Sequence, residues 1–142
     1  MQIEIARPKQ EGVEDAISAL LAQNSRETGF VYAPQPVVLK INDEGQTVAG
    51  LVGHTNWEWL YIETLAVDPK LRGKGWGRKL VAEAERIAIE RQCRGAWVDT
   101  FSFQSPDFYK RLGYLPFGEL ADYPTGQKRV FLRKVFTVPV TP

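Results

Sequence analysis

Val67-Asp-Pro-Lys-Leu-Arg-Gly-Lys-Gly-Trp-Gly-Arg-Lys-Leu80 decides how the rest of the chain is read. An apolar run from Leu60 to Val67 halts at Asp68-Pro69, and apolar residues from Leu80 onward recur at helical spacing. Strand, glycine loop and helix start together make an anion site. The free N–H groups of a first helical turn and the positive end of the helix dipole converge there on one point. Gly73, Gly75 and Gly77 let the backbone approach closely and take positive φ, so that successive N–H groups form a nest. Lys70, Arg72, Lys74, Arg78 and Lys79 gather positive charge in a chain whose formal net charge is +1. The stretch reads as a diphosphate cradle.

A nucleotide-type phosphate loop, Gly-x-x-x-x-Gly-Lys-Ser/Thr, has no match here. A dinucleotide fingerprint is a closer rival: Gly75-Trp76-Gly77 opens it, and Asp99 stands where a ribose-binding acid belongs, but Leu80 occupies the third glycine position. The spacing that fits is Arg72-x-x-Gly75-x-Gly77 after a strand ending in Val67-Asp68-Pro69. In this the sequence resembles the GNAT superfamily of acetyl-CoA-dependent N-acetyltransferases, whose signature is Arg/Gln-x-x-Gly-x-Gly/Ala. Trp76 departs from the aliphatic residue more usual inside that signature. A second stretch, Phe108-Tyr109-x-x-x-Gly113-Tyr114, is similar to the family's Phe-Tyr-x-x-x-Gly-Phe, follows about 30 residues later in the right order, and extends the resemblance over roughly 59–118.

The chain of 142 residues predicts one domain, 1–142, large enough for a hydrophobic core. Its near-neutral charge gives no reason to expect nucleic acid or an anionic membrane as a bulk partner. Cys93 is the single cysteine, which rules out an internal disulfide and fits a reducing compartment. Met1-Gln-Ile-Glu-Ile5 has no leader pattern and no apolar run approaches about 18 residues, so a cytoplasmic location is expected.

Residues 2–7 alternate and predict a half-buried strand; Val13, Ala16, Ile17, Leu20 and Leu21 predict a helix over 12–23, followed by an irregular stretch over 24–36. Residues 37–41 and 47–55 read as a hairpin about Asn42-Asp-Glu-Gly45, and a turn near Asn56 leads to a third strand over 59–67. Leu80, Val81, Ala84, Ile87 and Ala88 line one helix face, and Gly95 reads as a cap before a strand over 96–99. This strand–helix–strand unit makes its two strands parallel. Ser105-Pro106 and Gly113 bracket a short helix, with strands expected at 114–117 and 130–136 and a frayed or partner-packed tail over 137–142. The fold class expected is α/β (α+β): a GNAT-like mixed, mainly antiparallel sheet of six to seven strands flanked by helices on both faces, whose central parallel pair the resemblance implies to be splayed.

The resemblance implies roles for individual residues. Leu65, Ala66 and Val67 would pair with the pantetheine arm of acetyl-CoA. Arg72, Gly73, Lys74, Gly75, Trp76, Gly77 and Arg78 would hold its pyrophosphate. Tyr109 would face the coenzyme sulfur as general acid, or else be plain core. Glu63 is the candidate base, taken to be buried beside aromatics on the face of Tyr61 and Leu65; its other reading is a strand glutamate paired to an arginine or open to water. Asp99 is a second, weaker candidate base, and the lone His54 reads as structural. Glu58, Glu63, Asp99 and Asp107 hint at a cationic acceptor. The implied activity is direct transfer of acetyl to a primary amine, with no metal, and a homodimer by family habit. The alternatives are a non-catalytic acyl-CoA sensor or a transferase acting on a peptide or protein amine.

Overall fold

A computed structural model describes residues 1–9 and 12–137. The chain forms two compact units, 1–33 and 34–142. In the first, residues 2–7 form no strand, and Ile3 and Ile5 are exposed. Alternation names a face, but a strand also needs a hydrogen-bonded neighbour. Helix α1, Val13–Thr28, follows the apolar spacing but outlasts it by a polar turn. It stops where Gly29 takes a left-handed φ of 84° and its N–H bonds the carbonyl of Arg26.

The second unit is one six-stranded sheet with strands β1, Gln35–Asp43; β2, Gln46–Asn56; β3, Trp59–Val67; β4, Gly95–Phe101; β5, Leu115–Ala121; and β6, Lys128–Val135. Their order across the sheet is β1-β2-β3-β4-β6-β5. The β1–β2 hairpin turns on Glu44 and Gly45, both at positive φ, as the Asn-Asp-Glu-Gly chemistry demands. Helix α2, Trp76–Glu90, crosses from β3 to β4, and these two strands are the parallel pair in an otherwise antiparallel sheet. Leu80, Val81, Ala84 and Ala88 of α2 are buried in one core with Leu51, Leu60, Ile62, Ala96, Val98 and Leu132. Glu83 and Glu90 bracket Arg86 on the solvent side at 2.6 Å each.

Gly95 is not a cap. It opens β4, where a Cβ would collide with the Lys134 carbonyl and come within 2.8 Å of the Trp59 ring. The left-handed residue that ends α2 is Gln92, φ 64°. Helix α3, Pro106–Arg111, starts after Ser105, whose hydroxyl makes no cap bond, and it is followed by Gly113 at φ 94°. Strand β5 runs four residues beyond the expected 114–117, to Ala121. Of the frayed or partner-packed tail expected over 137–142, residues 138–142 lie outside the described residues.

Candidate active site

The parallel pair begins at Trp59 and Gly95 but is hydrogen-bonded only as far as Ile62 and Val98. Beyond that the strands separate, and the β4-facing edge of β3 from Glu63 to Val67 is unpaired. On its other side β3 stays in the sheet, with Leu51 opposite Leu65 and Ala49 opposite Val67. The separation opens a cavity of about 1000 Å³, lined by 63–67, the glycine loop with the start of α2, 98–101 and α3.

The register also slips within β3. Val52 pairs with Thr64 and Gly53 with Ile62, which leaves Glu63 as the extra residue of a β-bulge. One inserted residue reverses the side-chain parity. Leu60 and Ile62 face the core before the bulge, and Leu65 and Val67 pack against it after the bulge. Glu63 therefore does not share a face with Leu65. The burial expected of it is absent too: Glu63 is exposed on the cavity wall and has no hydrogen bond or ion pair among the described residues.

At the other end of the cavity Gly73 and Gly75 adopt φ of 78° and 83°, a region open to glycine at no steric cost. Gly77 differs from the nest role foreseen for it. It is helical, and a Cβ there would press on the Phe108 ring at 3.3 Å, so its role is to let α2 approach α3. The first intrahelical bond runs from the Lys79 N–H to the Gly75 carbonyl, which leaves the N–H groups of Trp76, Gly77 and Arg78 without an intrahelical acceptor. No side chain caps this end. Lys79 Nζ lies over the Trp76 ring at 4.5 Å, so the bulky residue in the glycine signature packs under a lysine ammonium.

Tyr109 of α3 is 5% exposed and lines the same cavity. Burial, and secondarily the charge of Asp99, push its phenol up to about 12. The proton is therefore held firmly at neutral pH. Its ring meets Tyr114 edge-on at 5.7 Å. Behind it, the fully buried Tyr114 donates to Glu85 Oε2 at 3.2 Å, and Lys134 Nζ donates to Glu85 Oε1 at 2.7 Å. Sequence reasoning missed Glu85, since a glutamate on a helix normally reads as solvent-facing. Burial, its hydrogen bond to Glu85 and that carboxylate's charge push the Tyr114 phenol up further than that of Tyr109.

Asp99 lies where the parallel strands part and is not a free base. Both of its oxygens are occupied: Tyr61 Oη donates at 2.8 Å, and Arg129 donates from Nε at 3.0 Å and Nη2 at 2.6 Å. Burial and this carboxylate push the Tyr61 phenol up to about 12. Tyr61 in turn stacks on Trp97 at 4.1 Å and meets the His54 ring edge-on. Of the four acidic residues flagged in the sequence, Glu58 pairs with Arg94, Asp107 with Lys110 at 3.9 Å and Asp99 with Arg129, so Glu63 alone stays unpaired. Cys93 is buried, which pushes its thiol up and away from nucleophile chemistry.

Comparison with known proteins supplies the family of this fold. Residues 4–114 match the model of the acetyltransferase (GNAT) family. The chain belongs to that family. It is 37% identical to the blasticidin-S acetyltransferase of Streptomyces morookaense over 125 residues, 86% of this chain and 92% of that protein. A chain from Agrobacterium tumefaciens assigned as an acetyltransferase superposes with a TM-score of 0.83 at 35% identity, covering 96% of this chain and all of the other. A Bacillus anthracis chain assigned as a streptothricin acetyltransferase, solved with acetyl-CoA, shares the fold at 22% identity and TM-score 0.65, over 77% of this chain and 67% of that one. The protein is thus an acyltransferase of a family that uses acetyl-CoA, and the mixed α/β sheet with its one parallel pair is the fold of that family.

Proposed function

We propose that this acetyltransferase moves the acetyl group of acetyl-CoA directly onto a primary amine of a small-molecule acceptor. The observation that carries the reading is that one cavity joins the unpaired edge of β3, the cradle at the start of α2, Tyr109 and Glu63. Its volume of about 1000 Å³ suits a coenzyme arm with a small acceptor. A 37% identical relative that acts on blasticidin S supports the small-molecule class.

In this reading Leu65, Ala66 and Val67 bind the pantetheine arm through the free strand edge. Arg72, Gly73, Lys74, Gly75, Trp76, Gly77 and Arg78 take the pyrophosphate, chiefly by backbone N–H groups. Glu63 attracts the incoming ammonium and receives its proton through water. The neutral amine attacks the thioester carbonyl, the C–N bond forms, the C–S bond breaks, the electron pair leaves on sulfur, and the second proton of the nitrogen passes through water to that thiolate. Tyr109 faces that sulfur. With its phenol near pH 12, well above an ordinary thiol at about 8.5, it serves by donating a hydrogen bond to the sulfur as charge develops there. The buried, high-pKa Cys93 supports direct transfer over an acyl-cysteine relay.

Thermal unfolding with acetyl-CoA, NADH or ATP tests the donor, since a ligand of the folded state raises the midpoint by mass action. A rise with acetyl-CoA alone is expected; a rise with NADH alone overturns the reading. Thiol release over a panel of primary amines then tests transfer, and its complete absence despite coenzyme binding would favour a sensor module.

A further inference from the structure

We propose that the rings of Phe101, Phe103 and Tyr123 form an acceptor subsite that receives a flat aromatic or heteroaromatic ring carried by the amine substrate. This rests on the transfer reading above and names the class of amine. Phe101 links a near-parallel ladder, 5.3 Å and 22° from Phe103 and 5.5 Å and 24° from Tyr123. The outer rings are 57% and 46% exposed, an uncommon state for two aromatic side chains that the fold has taken care to align. Phe101 and Phe103 line the same cavity as Glu63 and Tyr109, and Tyr123 extends the stack from Phe101 outside that lining, so a ring resting on Phe103 lies in the chamber where the amine would react.

A set of hydrogen bonds holds the segments that carry the ladder. After β4 the Phe101 carbonyl accepts from the Gln104 N–H at 2.8 Å. Between the two phenylalanines, Ser102 N–H donates to the Lys128 carbonyl at 2.8 Å, its hydroxyl donates to Gln127 Oε1 at 2.7 Å, and that hydroxyl oxygen accepts from the Lys128 N–H at 2.9 Å. These bonds tie the Phe103 loop to the start of β6. The turn bearing Tyr123 is closed by Gln127 N–H to the Pro124 carbonyl at 2.8 Å and by Gly126 N–H to Asp122 Oδ1 at 3.1 Å. Arg129 backs the ladder, its guanidinium 5.6 Å from the Phe101 ring and 5.4 Å from the Tyr123 ring. Its charge is matched by Asp99 at 2.6 Å. The ladder therefore offers preorganised stacking surface rather than net charge, which selects a flat ring and not an anion.

The test compares phenethylamine with 2-cyclohexylethylamine, which has similar bulk and an equivalent amine but a puckered ring. The wild type should favour phenethylamine in kcat/KM by roughly three- to tenfold, the margin of a good aromatic pair. Phe103→Ala and Tyr123→Ala should each raise KM for phenethylamine and bring the two amines towards parity, with KM for acetyl-CoA unchanged. Equal use of both amines by the wild type, or variants that shift KM for acetyl-CoA instead, overturns the subsite. Calorimetric binding of both amines to the CoA-loaded protein separates the two readings. Ring-dependent binding without turnover upholds the ladder and sinks the transfer reading; turnover without ring dependence does the reverse; neither overturns both.

Discussion

The residue with the most chemistry to explain is Tyr109. Its phenol, buried and faced by the charge of Asp99, stays protonated far past neutral pH, so across the working range it is a donor and never a base. Tyr109→Phe removes that donor while keeping the ring that packs on Phe108 and Tyr114. Coenzyme binding should persist and kcat fall about 10- to 1,000-fold; thiol-release kinetics check this, and an unchanged kcat removes the role. Gly75→Asp probes the other end of the cavity. Open space surrounds the position, so no clash arises, but φ is 83° and the new carboxylate would repel the diphosphate proposed to bind there. The strain costs about 1 kcal/mol, lowering the midpoint by roughly 2–4 °C. The thermal response to acetyl-CoA should vanish altogether. A variant that still responds would show that the pyrophosphate binds elsewhere.

Elements meet at Glu85, where α2, β6 and the residue after Gly113 share one buried carboxylate. Because α2 carries the cradle and Tyr114 supports Tyr109, this network ties the two ends of the site to each other. Glu85→Ala strands the Tyr114 hydroxyl and the Lys134 ammonium. Water reaches Lys134, whose side chain is 31% exposed, so the loss should be about 2 kcal/mol rather than the 3–5 of a fully buried pair. Calorimetry should show a midpoint lower by roughly 4–8 °C, and a fall of under 1 °C would contradict the account. At this scale the sequence was legible where local chemistry dictates structure. Asn-Asp-Glu-Gly made its hairpin, the glycine loop made its helix start, and the Phe-Tyr-x-x-x-Gly-Tyr stretch put Tyr109 in the cavity. It was illegible where a partner is remote. The bulge at Glu63 depends on the register of β2. The occupied state of Asp99 depends on Arg129, and the need for glycine at 95 depends on Trp59 and Lys134. Strand alternation over 2–7 failed for the same reason, since nothing in those residues specifies a neighbour.

For the molecule as a whole, three tyrosines set the alkaline limit of stability. Tyr61 and Tyr109 are held at about 12 and Tyr114 beyond them, against 10.0 for an exposed phenol. Above pH 10 the unfolded chain gives up these protons while the folded one keeps them, so the unfolded state binds fewer protons and stability must fall as pH rises. The contribution is complete below pH 10; that of Tyr61 and Tyr109 drains away between about pH 10 and 12, and that of Tyr114 goes on falling beyond it. Melts from pH 8 to 11.5 should therefore show these groups contributing no slope up to pH 10 and a progressively steeper loss above it. Tyrosinate absorbance at the late-titrating rings should rise together with unfolding, not before it. Because burial is the leading cause at all three rings, Tyr109→Phe should flatten the alkaline slope by one proton's share without changing the fold. An alkaline slope identical in the variant would mean that Tyr109 titrates freely in the native protein, and with that its standing as a firmly protonated donor in the cavity would be lost.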